Sequence, residues 1–148
     1  MYFALIHIVT LFSLTSLLYG QTYSNVRAKQ DGLSIKISYD MEGILFRGDK
    51  VGLVYSLDDG NNYSIVADAE GDIGSNVLPG KDNEVNWLLI DKDFIIGKII
   101  NFRVITIPQG MVYVDGGSFM RSIISKNESS SHLVNLGSFL IDETEVTQ

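Results

Sequence analysis

The sequence contains no cysteine. That excludes disulfides, thiolate metal sites, a cysteine nucleophile and the lipid-modified cysteine that anchors bacterial lipoproteins. Histidine is almost as scarce, with only His7 and His132. His7 lies in a segment expected to be removed, which leaves His132 alone and argues against zinc. Cations are also few: 11 Lys and Arg against 18 Asp and Glu give a formal charge of −7. Such a chain lacks the basic face that a nucleic-acid binder needs for phosphates. It equally lacks a polybasic cluster for anionic lipid. The acidity fits solubility outside the cell better than a specific partner. What the chain does have is a 45% apolar content, enough for a packed core. Its length holds one ordinary domain, or a small domain and part of another.

Residues 1–20 carry no Lys, Arg, Asp or Glu. An apolar run from Ala4 to Leu18 is diluted by His7, Thr10, Ser13, Thr15 and Ser16, and ends at Gly20 before the polar Gln21-Thr22. This is the plan of a cleaved signal peptide, with export to the periplasm, cell surface or medium as its consequence. A membrane anchor is the competing reading, and the interrupting polar residues count against it. After removal of residues 1–20 no membrane contact is expected.

From Tyr23 to Ile107 short alternating segments are separated by turn residues, and no helical period stands out. Leu33, Ile35, Ile37 and Tyr39 alternate with Ser34, Lys36 and Ser38, which predicts one buried and one wet face. Further strands are predicted around Val26 and Ala28, and over 51–56, 63–66, 84–90 and 99–107. About seven strands in this span predict a mostly β fold, an immunoglobulin- or fibronectin-like sandwich over residues 21–107. Pro108-Gln109-Gly110 reads as a short linker.

Between two of these strands lies Ser56-Leu57-Asp58-Asp59-Gly60-Asn61-Asn62-Tyr63. Asp and Asn bond their own backbone and tolerate left-handed geometry, and Gly60 has no Cβ to clash, so a hairpin turn is expected. Ser56, Asp58, Gly60 and Tyr63 also resemble the Asp-box, Ser-x-Asp-x-Gly-x-x-aromatic, in which Ser and Asp hold the turn. The competing reading is a calcium loop built from Asp58, Asp59, Asn61 and Asn62, but no bidentate Glu follows at the required spacing. Gly71, Gly74 and Gly80 fit neither a P-loop nor a dinucleotide fingerprint, so residues 69–81 read as sandwich loops. Trp87 shares a face with Val85 and Leu89 and reads as core, against a sharper reading as an exposed sugar-stacking ring.

Residues 111–148 have a different character. Met111 to Val114 is a predicted strand, and Asp115-Gly116-Gly117 turns it into Ser118-Phe119-Met120. The serine-rich stretch 121–131 is a predicted loop, 132–136 and 139–141 are short strands, and Thr147-Gln148 could open a helix. Asn62-Tyr63-Ser64 and Asn127-Glu128-Ser129 fit the glycosylation pattern, which a bacterium would not normally use. Met111, Val112, Val114, Gly116, Gly117 and Phe119, then His132, Val134 and Leu136, then Phe139, Ile141, Asp142, Glu145, Val146 and Thr147 fall in the order of a known motif. They resemble the amino-terminal edge of the formylglycine-generating enzyme, or sulfatase-modifying factor, family. One departure is Phe119-Met120-Arg121-Ser122, which is one residue short of the family's Phe-x-Met-Gly and lacks its Gly. The preceding Tyr55-Ser56-Leu57-Asp58-Asp59-Gly60, Gly71-Asp72-Ile73-Gly74, Pro79-Gly80-Lys81 and Val85-Asn86-Trp87 resemble a sandwich module that precedes such domains in Bacteroidetes-type bacteria.

The resemblance implies a β-sandwich followed by the truncated start of an α+β, C-type-lectin-like domain. Active members of the family oxidise a sulfatase cysteine to formylglycine with a cysteine pair and copper, and relatives use histidine-bound iron. Those groups lie downstream of the matched motif, so the chain is expected to hold no catalytic residue, cofactor or metal of its own. His132 is expected in a surface or hydrogen-bonding role, and Asp142, Glu143 and Glu145 as solvated charges. The alternative is an extracellular binding or scaffold protein whose sandwich recognises a protein or glycan. Residues 111–148 are also expected to expose strand edges and to be less protected than 23–107.

Overall fold

The computed structural model describes residues 20–90, 95, 97–124 and 129–145. The signal-peptide segment therefore lies outside the described residues except for Gly20, as do Val146 and Thr147. Eleven strands follow in chain order: β1 Thr22–Asp31, β2 Ser34–Glu42, β3 Lys50–Ser56, β4 Ser64–Ile65, β5 Ala69–Gly71, β6 Gly80–Leu88, β7 Asn101–Ile107, β8 Met111–Val114, β9 Gly117–Ile124, β10 Ser129–Leu136 and β11 Phe139–Asp142. No α-helix occurs among the described residues. The protein is mostly β, as its alternating segments predict.

Among the described residues four sheets arise, all antiparallel. One has the order β1-β2-β6-β5, a second β4-β3-β7, and two ribbons pair β9 with β10 and β8 with β11. The first two enclose a common core. Ile35, Ile37, Tyr39 and Met41 from β2 and Val85 and Trp87 from β6 meet Val51 and Leu53 from β3 and Val104 from β7. The period of two in β2 and β6 puts these side chains on one face. Each large one removed from water contributes about 1.5–3 kcal/mol. Trp87 is 1% exposed. Its ring centroid lies 5.1 Å from Tyr55 and 6.0 Å edge-on from Phe102, and its Nε1 donates to Asp68 Oδ1 at 3.0 Å. The core reading of this residue holds, and its burial rules out a sugar-stacking platform.

The first sheet is tighter than its sequence suggests. β1 is long and carries a bulge between Ser24 and Arg27, where Asn25 takes a φ of 51° and its amide donates to Asp40 Oδ2 at 2.6 Å. Leu33, expected on the buried face, is 74% exposed. It sits with Gly32 in the two-residue turn between Asp31 and Ser34, outside β2, so the pleat does not aim it inward. The stretch 69–81, expected as loops, contains β5, which pairs with β6. Its glycines permit close backbone approach. A Cβ on Gly71 would stand 2.3 Å from the Glu84 carbonyl oxygen, and Gly74 exchanges two 2.8 Å backbone bonds with Val51.

In the last part of the chain, β8 matches its predicted span, but two expectations fail. The serine-rich stretch 121–131 reads as a loop, yet its described residues are strand: β9 runs through Ile124 and β10 begins at Ser129. A two-stranded ribbon open to solvent on both faces needs no apolar alternation, so periodicity is silent there. Second, Asp115-Gly116-Gly117 does not close a hairpin between β8 and β9. β8 pairs with β11, with Val112 opposite Ile141 and Val114 opposite Phe139, while β9 and β10 form a hairpin inserted between them. β8 also lies against β4 and β7 of the second sheet. Val54, whose side chain points away from the core, is only 1% exposed, as a covered outer sheet face requires.

Candidate functional site

The densest polar constellation is the turn joining β3 to β4. Ser56 ends β3 and is buried, 1% exposed. Its Oγ donates to Asp58 Oδ1 at 2.7 Å and accepts from the Gly60 amide at 2.9 Å and the Asp58 amide at 3.3 Å. Asp58 Oδ1 also accepts from the Asn62 amide at 2.9 Å, and its Oδ2 from the Asn62 side chain at 2.6 Å. Asp59 and Gly60 take φ of 58° and 87°, the left-handed values that Asp tolerates and Gly adopts freely. The Tyr63 hydroxyl lies 3.1 Å from where a Gly60 Cβ would stand, so the missing side chain makes room for the ring. The Arg103 guanidinium sits 4.4 Å from the centre of that ring.

Ser56, Asp58, Gly60 and Tyr63 are thus brought together, each in the part its residue type fits. Donation from the Asn62 amide, then from its side chain and from Ser56, pulls the Asp58 carboxyl down to about 2. Both carboxylate oxygens are committed to the turn, which favours a structural part over calcium ligation. Among the described residues no group of three His, Cys, Asp or Glu could hold a metal ion.

The far side of the same turn meets β8. The Ile65 amide donates to Asp115 Oδ1 at 2.9 Å, and the Tyr113 hydroxyl to the Tyr63 carbonyl oxygen at 3.3 Å. A Cβ on Gly116 would come within 2.9 Å of Asn62 Oδ1, 2.8 Å of the Ser138 amide nitrogen and 3.0 Å of the Leu136 carbonyl oxygen. The sequence singles out Gly116 but gives no sign of Tyr113 or Asp115 as partners of this turn. Their contacts span 50 positions, and no local pattern encodes them.

Gly117, Phe119, His132 and Phe139 spread over the two ribbons. Gly117 stands opposite Leu136, Phe119 opposite Val134, and His132 opposite Arg121. Phe139 pairs with Val114 in the other ribbon. His132, Asp142, Glu143 and Glu145 are exposed, and the Glu143 amide donates to the Gly110 carbonyl oxygen at 2.8 Å.

A separate feature lies at the other end of the sandwich. Ile44 to Asp49, which joins β2 to β3, and Ser75 to Pro79 line a cleft of about 270 Å³. Ile44, Phe46 and Leu78 are 76%, 64% and 77% exposed there, beside Arg47. No protein-family model, no curated protein and no solved structure matches this chain.

Proposed function

We propose that the chain is the amino-terminal portion of an exported sulfatase-modifying-factor-type protein: a sandwich module and the opening strands of the domain that follows it. What carries this reading is the pairing of motif segments that are separate in sequence. Val112 faces Ile141, Val114 faces Phe139, and Phe119 faces Val134. Residues matched to one family motif thus meet one another in strand registers, which unrelated coincidences would not require. In this reading the portion is not catalytic by itself. The cysteine pair with copper, or the histidine-bound iron, belongs to sequence downstream of the motif. The test is to read the coding sequence beyond Gln148. A continued frame carrying a cysteine pair or a histidine cluster supports the enzyme reading, and a stop codon after Gln148 removes it.

The sandwich itself fits an immunoglobulin-type arrangement. Taking the strands in order, β1-β2-β6-β5 follows the A-B-E-D sheet, and the β3–β7 neighbourhood follows C-F.

A second reading is favoured by the cleft between residues 44–49 and 75–79. Exposed Ile44, Phe46 and Leu78 on connecting loops are the composition of a recognition surface, since large apolar side chains clustered at loop tips mark binding sites. In that reading the protein is an extracellular scaffold whose sandwich binds a protein or glycan. A glycan array and a pull-down against surface proteins of the same cell, each with wild type and Phe46→Ser, separate the two partners. Equal behaviour of wild type and variant in both removes this reading.

A further inference from the structure

We propose that the Asp58 turn is the socket that seats the β8–β11 ribbon on the sandwich, so that Asp58 is a positioning residue for strands it never touches. The turn residues that Asp58 holds are those next to the joint. Asn62, fixed by two bonds to the Asp58 carboxylate, presents its Oδ1 toward Gly116. One residue on, the Tyr63 carbonyl accepts the Tyr113 hydroxyl, and two further on the Ile65 amide reaches Asp115 Oδ1. Arg103 of β7 closes over the Tyr63 ring from the sandwich side. The ribbon contributes the matching half. Asp115 leaves β8 as an acceptor, and Gly116 supplies a backbone with no side chain where a Cβ would strike Asn62, Ser138 and Leu136 together.

A turn that served only to reverse the chain would need no such outward partners. Both its strand-end bonds and its docking bonds depend on one eight-residue conformation, and Asp58 is the group that organises it. Loss of the carboxylate therefore frees Asn62 and Tyr63 to move, and with them the acceptors and donors that hold the ribbon. The joint is the same whatever the family of the second region.

Hydrogen exchange on the full chain tests it, comparing wild type with Asp58→Ala, Asp58→Asn, Asp115→Ala and Gly116→Ala. In Asp58→Ala, amides of 111–116 and 139–142 should exchange roughly tenfold faster, while those of β2 and β6 stay protected. Asp58→Asn, which keeps one acceptor oxygen, should fall between. Asp115→Ala and Gly116→Ala reach the joint from the ribbon side and should release the same amides, with the turn at 56–63 still closed. If Asp58→Ala fails to fold, Asp58→Asn decides the matter, its ribbon amides expected to exchange faster than in wild type while β2 and β6 stay protected. A response confined to 58–62, or equal loss of protection in β2 and β6, would overturn the proposal.

Discussion

The sandwich and the β8–β11 ribbon beyond Pro108 are both built from apolar-rich antiparallel strands, yet they bury different fractions of them. In β2, four side chains in succession on one face, Ile35, Ile37, Tyr39 and Met41, are at most 7% exposed. In the β8–β11 ribbon, Val112, Phe139 and Ile141 share a face and are 43%, 43% and 52% exposed. The ribbon's other face, with Tyr113 and Leu140, is half-buried. A strand is stabilised by what covers it more than by its own preference. The sandwich strands have a second sheet over them, while the ribbon has cover on one side only. Similar apolar-rich strands therefore yield an enclosed region in one case and a half-covered one in the other.

The strongest test of this difference is a truncation in each region. Trp87→Ala removes a ring enclosed by Tyr55 and Phe102 and leaves Asp68 without its indole donor, and should cost about 3–5 kcal/mol in urea unfolding. Phe119→Ala removes a comparably large side chain that is 48% exposed, and should cost less than about 1 kcal/mol. Comparable losses would mean that the ribbons are as fully enclosed as the core.

The same contrast explains which features could be read from the chain. The Asp58 turn was legible because every bond that builds it lies within the eight residues from Ser56 to Tyr63, and each residue type has one clear task there. The β2 and β6 faces were legible because burial on one side imposes a period of two. β9 and β10 were not, since the serine-rich sequence at 122 and 129–131 leaves no apolar alternation to detect. The β8–β11 pairing was hidden because it joins segments separated by an entire hairpin, and the Gly116-Gly117 pair reads locally as a hairpin turn. The joint at Tyr113 and Asp115 is non-local in the same way: its two halves make sense only after both regions are folded.

A smaller effect, opposite in sign for two groups of the sandwich, comes from pH. The Asp58 carboxyl, ordinarily near 3.8, is drawn to about 2 by Asn62 and Ser56. The fold thus favours its charged form. That contribution is complete above the ordinary value and is lost as pH falls toward 2. The turn also carries Asp59, and Arg103 and Asp115 reach its far end at Tyr63 and Ile65. Tyr39 behaves in reverse. Burial, followed by the charge of Asp72 and then Tyr23, raises its hydroxyl from 10.0 to about 12, while that hydroxyl donates to the Asp72 carbonyl oxygen at 2.6 Å. Its contribution is present below pH 10 and lost as pH rises toward 12. Trp87 is the only tryptophan and lies in the sandwich core, so its fluorescence reports on that region alone. Acid should speed exchange in β8 and β11 before the fluorescence changes, and alkali should shift the fluorescence first. A single transition in both probes at both extremes would show that the regions unfold as one.

The smallest expected change is at the open face of the ribbon. Val112 and Ile141 stand directly opposite each other, and serine at both positions removes two exposed apolar side chains without opening a cavity. Stability to urea should move by no more than about 0.5 kcal/mol per site, the range of surface substitutions. The visible consequence should be lower self-association at high concentration, because adjacent apolar side chains at a sheet face with unpaired edges favour contact between chains. Light scattering against concentration measures that directly. Should the double variant instead lose several kcal/mol, this face must be buried in solution against something that covers it as β3 and β7 cover β2 and β6. The distinction between the regions would then lie in what each is packed against, with no difference in how completely they are packed.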